Sequence, residues 1–198
     1  MAETIIYFEG IPSTGKTTII KSLLRVFPFA TVLDEYIDPR EAEKAFLERD
    51  QSYFIRNDVA KYEAARATKQ KAVFVDRGHL STIAYNEAQR QLGLKGYLPW
   101  LLDYYKENIL APKKLPSNYV YLDVEPEVSL MRKPQLSLDG NHIWARKDGL
   151  SIARTVYTQF LDTHERSVGR LSIDTTNLSL NIVIDSVALY ITRLLGEK

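Results

Sequence analysis

The segment GIPSTGKT, residues 10–17, arranges two glycines, a lysine and a hydroxyl residue as G-x-x-x-x-G-K-[ST], and each position has a task on a polyphosphate. Gly10 and Gly15 permit backbone geometry that side chains would obstruct, so successive N–H groups can converge on phosphate oxygens. Lys16 brings a point charge to the β- and γ-phosphates, and Thr17 a hydroxyl ligand for magnesium. Ser13, Thr14 and Thr18 complete the expected phosphate-binding set. The chemistry this spells is capture of a nucleoside triphosphate, ATP with magnesium. An ordinary glycine turn is the alternative, but an apolar strand pattern lies just before the motif and the amphipathic stretch TTIIKSLLRVF just after it. The helix would aim the positive end of its dipole at the phosphates.

A second group of reactive side chains follows in VFVDRGHLSTIAYNEA, where Asp76 and Arg77 close an apolar run. An aspartate there can accept a proton from an attacking hydroxyl or hold magnesium through water, and an arginine offers a bidentate fork to a phosphate. Residue types do not separate these roles from an aspartate that caps a helix beside a surface ion pair. A third group, Asp34, Glu35 and Tyr36, ends the run before LDEYIDPREAEK turns polar. The histidines His79, His142 and His164 are too far apart in sequence for metal-ligand spacing and read as surface or packing residues.

Such groups meet only if the elements between them bring strand ends together. Short β-branched and aromatic runs at 4–8, 30–33, 72–75, 119–122 and 170–173 predict five buried strands. Helical patterns fill the intervals at 16–26, 39–49, 51–69, 81–91, 100–108, 126–131, 150–163 and 180–195. Alternation of this kind predicts an α/β protein with three layers, a central parallel five-stranded sheet and helices on both faces. Ligands then lie beyond the carboxyl ends of the strands, where all three groups fall. The stretches 93–99 and 111–117 read as surface connections, and the polar 133–141 as a flap between helices. Trp100, Tyr104 and Tyr105 read as helix packing that could also form a homodimer face.

With 198 residues, one domain spanning 1–198 is expected. The balance of 26 basic and 25 acidic residues supplies no field for nucleic acid or an anionic membrane, so affinity for phosphate must be local. Without cysteine there are no thiolate metal sites or nucleophiles. The N-terminal residues do not read as a signal peptide, and no apolar run would cross a bilayer, so a cytoplasmic protein is expected.

DRGHLSTIAYNEA resembles the thymidylate kinase signature, with Asn86 where that family usually carries glutamine. YVYLDVEPEVSLMRK is similar to the same family's strand, loop and helix before the lid, and LSIDTTN to its last strand and loop. Deoxynucleoside kinases share this layout, and the likeness runs along nearly the whole chain. The resemblance implies a nucleoside-monophosphate-kinase-like P-loop fold with a lid at about 132–147. Since residues 10–17 contain no arginine, it implies that catalytic charge comes from the lid, with Arg132, Lys133, Arg146 and Lys147 as candidates. It further implies an acceptor pocket along the 51–69 helix, in which Phe54 stacks on a base and Arg56, Asn57 or Lys61 reads it, with Tyr53 and Tyr62 nearby, and it makes Asn86 a further substrate-binding candidate. Asp34, Glu35 and Tyr36 match neither the glutamate base of deoxynucleoside kinases nor the arginine-glutamate-proline turn of thymidylate kinases. Glu35 as base or sugar contact, with Tyr36 beside it, stands next to its reading as a helix-initiating acid. The expected reaction moves the γ-phosphoryl of ATP to a small acceptor, a nucleoside monophosphate such as dTMP. A nucleoside or another small hydroxyl compound, an antibiotic included, and a regulatory ATPase are the alternatives.

Overall fold

The computed structural model describes residues 4–48, 50–108, 118–134, 142–163 and 169–196. Five strands form one parallel sheet in the order β2-β3-β1-β4-β5: β1 Thr4–Glu9, β2 Ala30–Leu33, β3 Ala72–Asp76, β4 Asn118–Asp123 and β5 Gly169–Asp174. The helices are α1 Lys16–Val26, α2 Pro39–Glu48, α3 Gln51–Ala67, α4 His79–Gln91, α5 Leu101–Asn108, α6 Pro126–Arg132, α7 Lys147–Thr163 and α8 Leu180–Leu194.

The alternation of β1 explains the two-sided core. Ile6 and Phe8 point to one face, where they meet Phe74, Val120 and Leu122 beneath Ile19 and Leu23 of α1 and Val183 and Val187 of α8. Tyr7 points to the other, with Val73, Val75, Tyr119 and Tyr121 beneath α4 and α7. Each face buries apolar surface against helices, so the central strands carry unbroken apolar runs.

Parallel register sets the strand ends in line. Phe8 pairs with Asp76 and with Val120, and Asp123 with Asp174. Four strands extend one residue past their apolar run, to Glu9, Asp76, Asp123 and Asp174. The ladder continues through an acidic residue because its backbone pairs whatever the side chain, so the carboxyl edge of the sheet is lined with carboxylates. Two helices also begin earlier than their patterns suggest, α4 at His79 and α7 at Lys147, and a short 3-10 turn at Ile143–Ala145 occupies part of the segment read as a lid. His164 and residues 111–117 and 135–141 lie outside the described residues.

Candidate active site

The loop from β1 to α1 packs so tightly on the sheet that Gly10 has no room for a side chain. Its φ is 139°, and a Cβ would stand 2.2 Å from the carbonyl oxygen of Leu122. Ser13 also takes a positive φ, 65°, and Gly15 caps α1 in the left-handed region. The loop closes around its own lysine. Lys16 Nζ donates to the carbonyls of Gly10 and Ile11, both at 2.8 Å, and to Thr14 Oγ1 at 3.0 Å. Burial, then repulsion from Arg77, lowers the Lys16 pKa to about 7 against the pull of Asp76 and Glu35. Thr17 Oγ1 donates to Asp76 Oδ2 at 2.6 Å, and Asp76 Oδ1 is buried with no hydrogen-bond partner, as is Ser13 Oγ. Orphaned buried oxygens in the loop and at the adjoining end of β3 are costly unless something binds there.

From β4 the chain returns to clamp this loop. Ser129 Oγ on α6 donates to the carbonyl of Pro12 at 2.8 Å. Arg132, the last residue of α6, donates to the carbonyls of Ser13 at 3.2 Å, Thr175 at 2.8 Å and Thr176 at 3.2 Å. With Lys133 and the exposed Thr18 it lines the cleft above the loop.

Arg77 stands between this cleft and a second pocket, and it too has a positive φ, 60°. Lys61 stabilises that turn: its buried Nζ donates to the carbonyls of Asp76 at 2.6 Å, Arg77 at 2.7 Å and Glu35 at 3.2 Å. One ammonium thus ties the end of β3 to the residue after β2. Glu35 Oε1 pairs with Arg77 Nε at 3.0 Å and accepts from Tyr36 Oη at 3.0 Å. Arg77 Nη1 donates to the carbonyl of Gly10 at 2.9 Å and to Ser81 Oγ at 3.2 Å, and its guanidinium lies 5.8 Å from the centre of the Trp144 ring. Burial acts to raise the Glu35 pKa, but Arg77 and Lys16 outweigh it and leave it below the ordinary value. Glu9, one residue before the loop, is fully buried; it accepts from Gly78 N at 3.0 Å and Ser81 Oγ at 2.5 Å, and burial lifts its pKa to about 8.

The second pocket lies between α3 and α4. Phe54, Asn57 and Asp58 form one wall, Thr82 and Tyr85 the opposite one, with Trp144 at the mouth. Glu35, Tyr36, Arg77 and Trp144 line both cavities. Gly78 lies against β1, where a Cβ would come within 2.6 Å of the Tyr7 ring.

Several expected site residues are elsewhere. Arg56 pairs with Asp50 at 3.2 Å and with Ser52 on the exposed face of α3, because it stands two residues from Phe54 and so about 200° away around the helix. Asn86 is consumed by the 92–100 connection: its Oδ1 accepts from Leu98 N at 2.8 Å and its Nδ2 donates to the Leu98 carbonyl at 3.2 Å. Asn57 does line the pocket, but it accepts from Ile37 N and donates to the Glu35 carbonyl, both at 3.0 Å, and so holds the β2 end instead of presenting a free amide. Arg146 pairs with Asp148 at 2.6 Å and lines neither cavity, and Lys147 pairs with Glu127 at 2.6 Å. His79 is packing, buried among Tyr7, Tyr105 and Tyr119. Asp58, Ser81, Tyr85 and Trp144 are among the pocket-lining residues that sequence reasoning missed, as is Glu9, which accepts from Ser81 behind them.

A family model described as an AAA domain matches residues 5–129. The chain belongs to the AAA domain family. The chain also resembles thymidylate kinase from Ligilactobacillus salivarius (strain UCC118), with 26% identity over 93% of this chain and 95% of that protein. Solved structures of deoxyadenosine kinase from M. mycoides share its fold. The form with bound dATP superposes with a TM-score of 0.72 at 14% identity, and the form with dCMP and dCDP with 0.70 at 13%, each over 96% of this chain and 100% of that one. The chain's fold is a P-loop NTPase fold, similar to that of the deoxynucleoside kinases, and its sequence is similar to that of a thymidylate kinase. Among its described residues no helix is long and apolar enough to cross a membrane.

Proposed function

We propose that the protein transfers the γ-phosphoryl group of ATP to a hydroxyl of a nucleoside-like acceptor, with residues 1–198 acting as one kinase unit. One observation carries this reading: the cleft over the phosphate-type loop and the pocket between α3 and α4 share a wall, and the carboxylate on that wall is Glu35. Glu35 takes the proton of the attacking hydroxyl as its oxygen bonds to phosphorus and the bridge to the β-phosphate breaks. The depressed pKa keeps it ionised for that step at neutral pH. Lys16 exchanges its loop carbonyls for phosphate oxygens, and Arg77 spans donor and acceptor sides.

Magnesium fits this chain at Thr17 and Asp76, since the hydroxyl already meets the carboxylate and the second carboxylate oxygen is buried without a partner. When bound, magnesium neutralises charge on the β- and γ-oxygens. Arg132 and Lys133, at the start of the lid region of about 132–147, border the donor cleft, which makes Arg132 a better candidate than Arg146 for contact with the nucleotide.

A second reading, transfer to a nucleoside monophosphate such as dTMP, draws support from the thymidylate kinase relative, which this chain matches almost end to end. Charge disfavours it. Arg77 is the one cation lining the acceptor pocket among the described residues and is already paired with Glu35, while Asp58 adds a further carboxylate. A coupled assay of ATP turnover against nucleosides and nucleoside monophosphates separates the two. Turnover with monophosphates and none with nucleosides removes the hydroxyl-acceptor reading, and turnover with neither removes the kinase assignment.

A further inference from the structure

The acceptor pocket contains a carboxylate that the transfer step does not use. Asp58 follows Phe54 by one helical turn on α3, and both line the pocket. Its Oδ2 is held from outside, accepting from Tyr105 Oη at 2.6 Å and Thr82 Oγ1 at 2.7 Å. Oδ1 has no hydrogen bond among the described residues, in a side chain that lines the pocket though its residue is only 8% exposed. Among groups suited by type to reading a ligand edge, Asn57 is committed to Glu35 and Ile37, Lys61 to three carbonyls and Arg56 to Asp50 on the outer face, which leaves Asp58 and the Gln51 amide facing the pocket.

A carboxylate oxygen that lines the pocket accepts from a donor on the ligand, whereas a carbonyl set against it would leave two acceptors facing each other. The Phe54, Tyr85 and Trp144 rings suit a flat aromatic group between the walls. Among nucleobases, adenine and cytosine carry an exocyclic amino donor where thymine carries a carbonyl, and carboxylates accept from the cytosine amino group. We infer that Asp58 is a specificity-determining residue that selects nucleosides with an amino-bearing base, adenine or cytosine, over thymidine. The inference rests on the hydroxyl-acceptor reading and narrows it.

The test is steady-state kinetics with ATP and deoxyadenosine, deoxycytidine or thymidine, on the wild type, Asp58→Asn and Tyr105→Phe. The wild type should favour the better amino nucleoside over thymidine by about 10- to 100-fold in kcat/KM. Asp58→Asn, whose amide can donate to a carbonyl, should cut that ratio by about tenfold or more, mainly through KM. Tyr105→Phe removes a support behind the carboxylate and should lower the melting temperature while the preference keeps its direction. A ratio unchanged in folded Asp58→Asn, or a wild type that favours thymidine, overturns the inference and leaves the hydroxyl-acceptor reading standing. Should Asp58→Asn fail to fold, the wild-type ratio decides alone. Turnover of no nucleoside overturns both.

Discussion

The donor loop and the acceptor pocket share a wall but hold their charges in opposite ways. In the loop, Lys16 rests on backbone carbonyls that can release it, and the orphaned oxygens of Ser13 and of Asp76 at the end of β3 leave the site unsatisfied. In the pocket, Arg77 meets Glu35, Glu35 meets Tyr36, and Asp58 holds Thr82 and Tyr105. The difference teaches that one side is completed by its ligand, whereas the other is largely organised beforehand. Pre-organisation suits a site that must orient a hydroxyl, since a misplaced acceptor loses most of the advantage of proximity.

The sharpest way to break this comparison is Glu35→Gln, which should lower kcat by about 10²–10⁴-fold while nucleotide affinity changes little. Single-turnover rates together with nucleotide titration will check it; kcat near the wild-type value would remove Glu35 from proton transfer. Next in size, Lys16→Met should reduce kcat/KM for ATP by about 10²–10³-fold. The same lysine gives a signature of a loop completed by its ligand. With a free pKa of about 7, Lys16 is partly neutral above that pH, and phosphate restores its charge, so nucleotide binding should take up protons and weaken as the pH rises past 7. Calorimetry in buffers of different ionisation enthalpy reads that uptake, and its absence would mean that Lys16 is already fully charged in the free loop.

Arg132→Ala should raise KM for ATP by about tenfold, since three carbonyls around the donor cleft lose their donor. Arg146→Ala breaks only an exposed pair and should stay within about two-fold of wild type. A larger effect at Arg146 than at Arg132 would reverse their assignment. The smallest effect on turnover is expected at Glu9. Its folded pKa of about 8 exceeds the ordinary 4.5, so stability associated with the protonated carboxyl is full below about 4.5 and declines as pH rises toward and through 8. Glu9→Gln should melt with the wild type near pH 5 and several degrees above it near pH 9, as followed by circular dichroism; parallel melting curves across that range would show that burial does not hold Glu9 protonated.

The phosphate loop was readable because its function lies in eight consecutive residues, and the sheet because apolar runs recur between helical patterns. Arg77 and Glu35 were visible as polar residues following strands, but their pairing depends on β2 lying beside β3, which order along the chain does not state. The acceptor wall was less legible. Which of Arg56, Asn57 and Asp58 turns inward depends on the phase of α3, and Asn86 is drawn away by a connection without secondary-structure periodicity. Trp144 reaches the site from a 3-10 turn inside a polar stretch, where no repeat announces it. Lys61 looked like a ligand contact because its three carbonyl partners come from two strand ends that only folding brings near it.

Gly78 has a consequence for altering this enzyme. With Tyr7 pressed against its backbone, the floor of the acceptor pocket is anchored to the central strand that also carries the donor loop. Depth is therefore the dimension least open to redesign: a methyl group there would drive into an aromatic ring, and any relief would travel along β1 into the phosphate loop. Width is the adjustable one. Exchanges at Phe54 or Asp58 act on a helix outside the sheet, so the range of accepted substrates can be retuned from α3 while the phosphoryl-donor machinery stays in register.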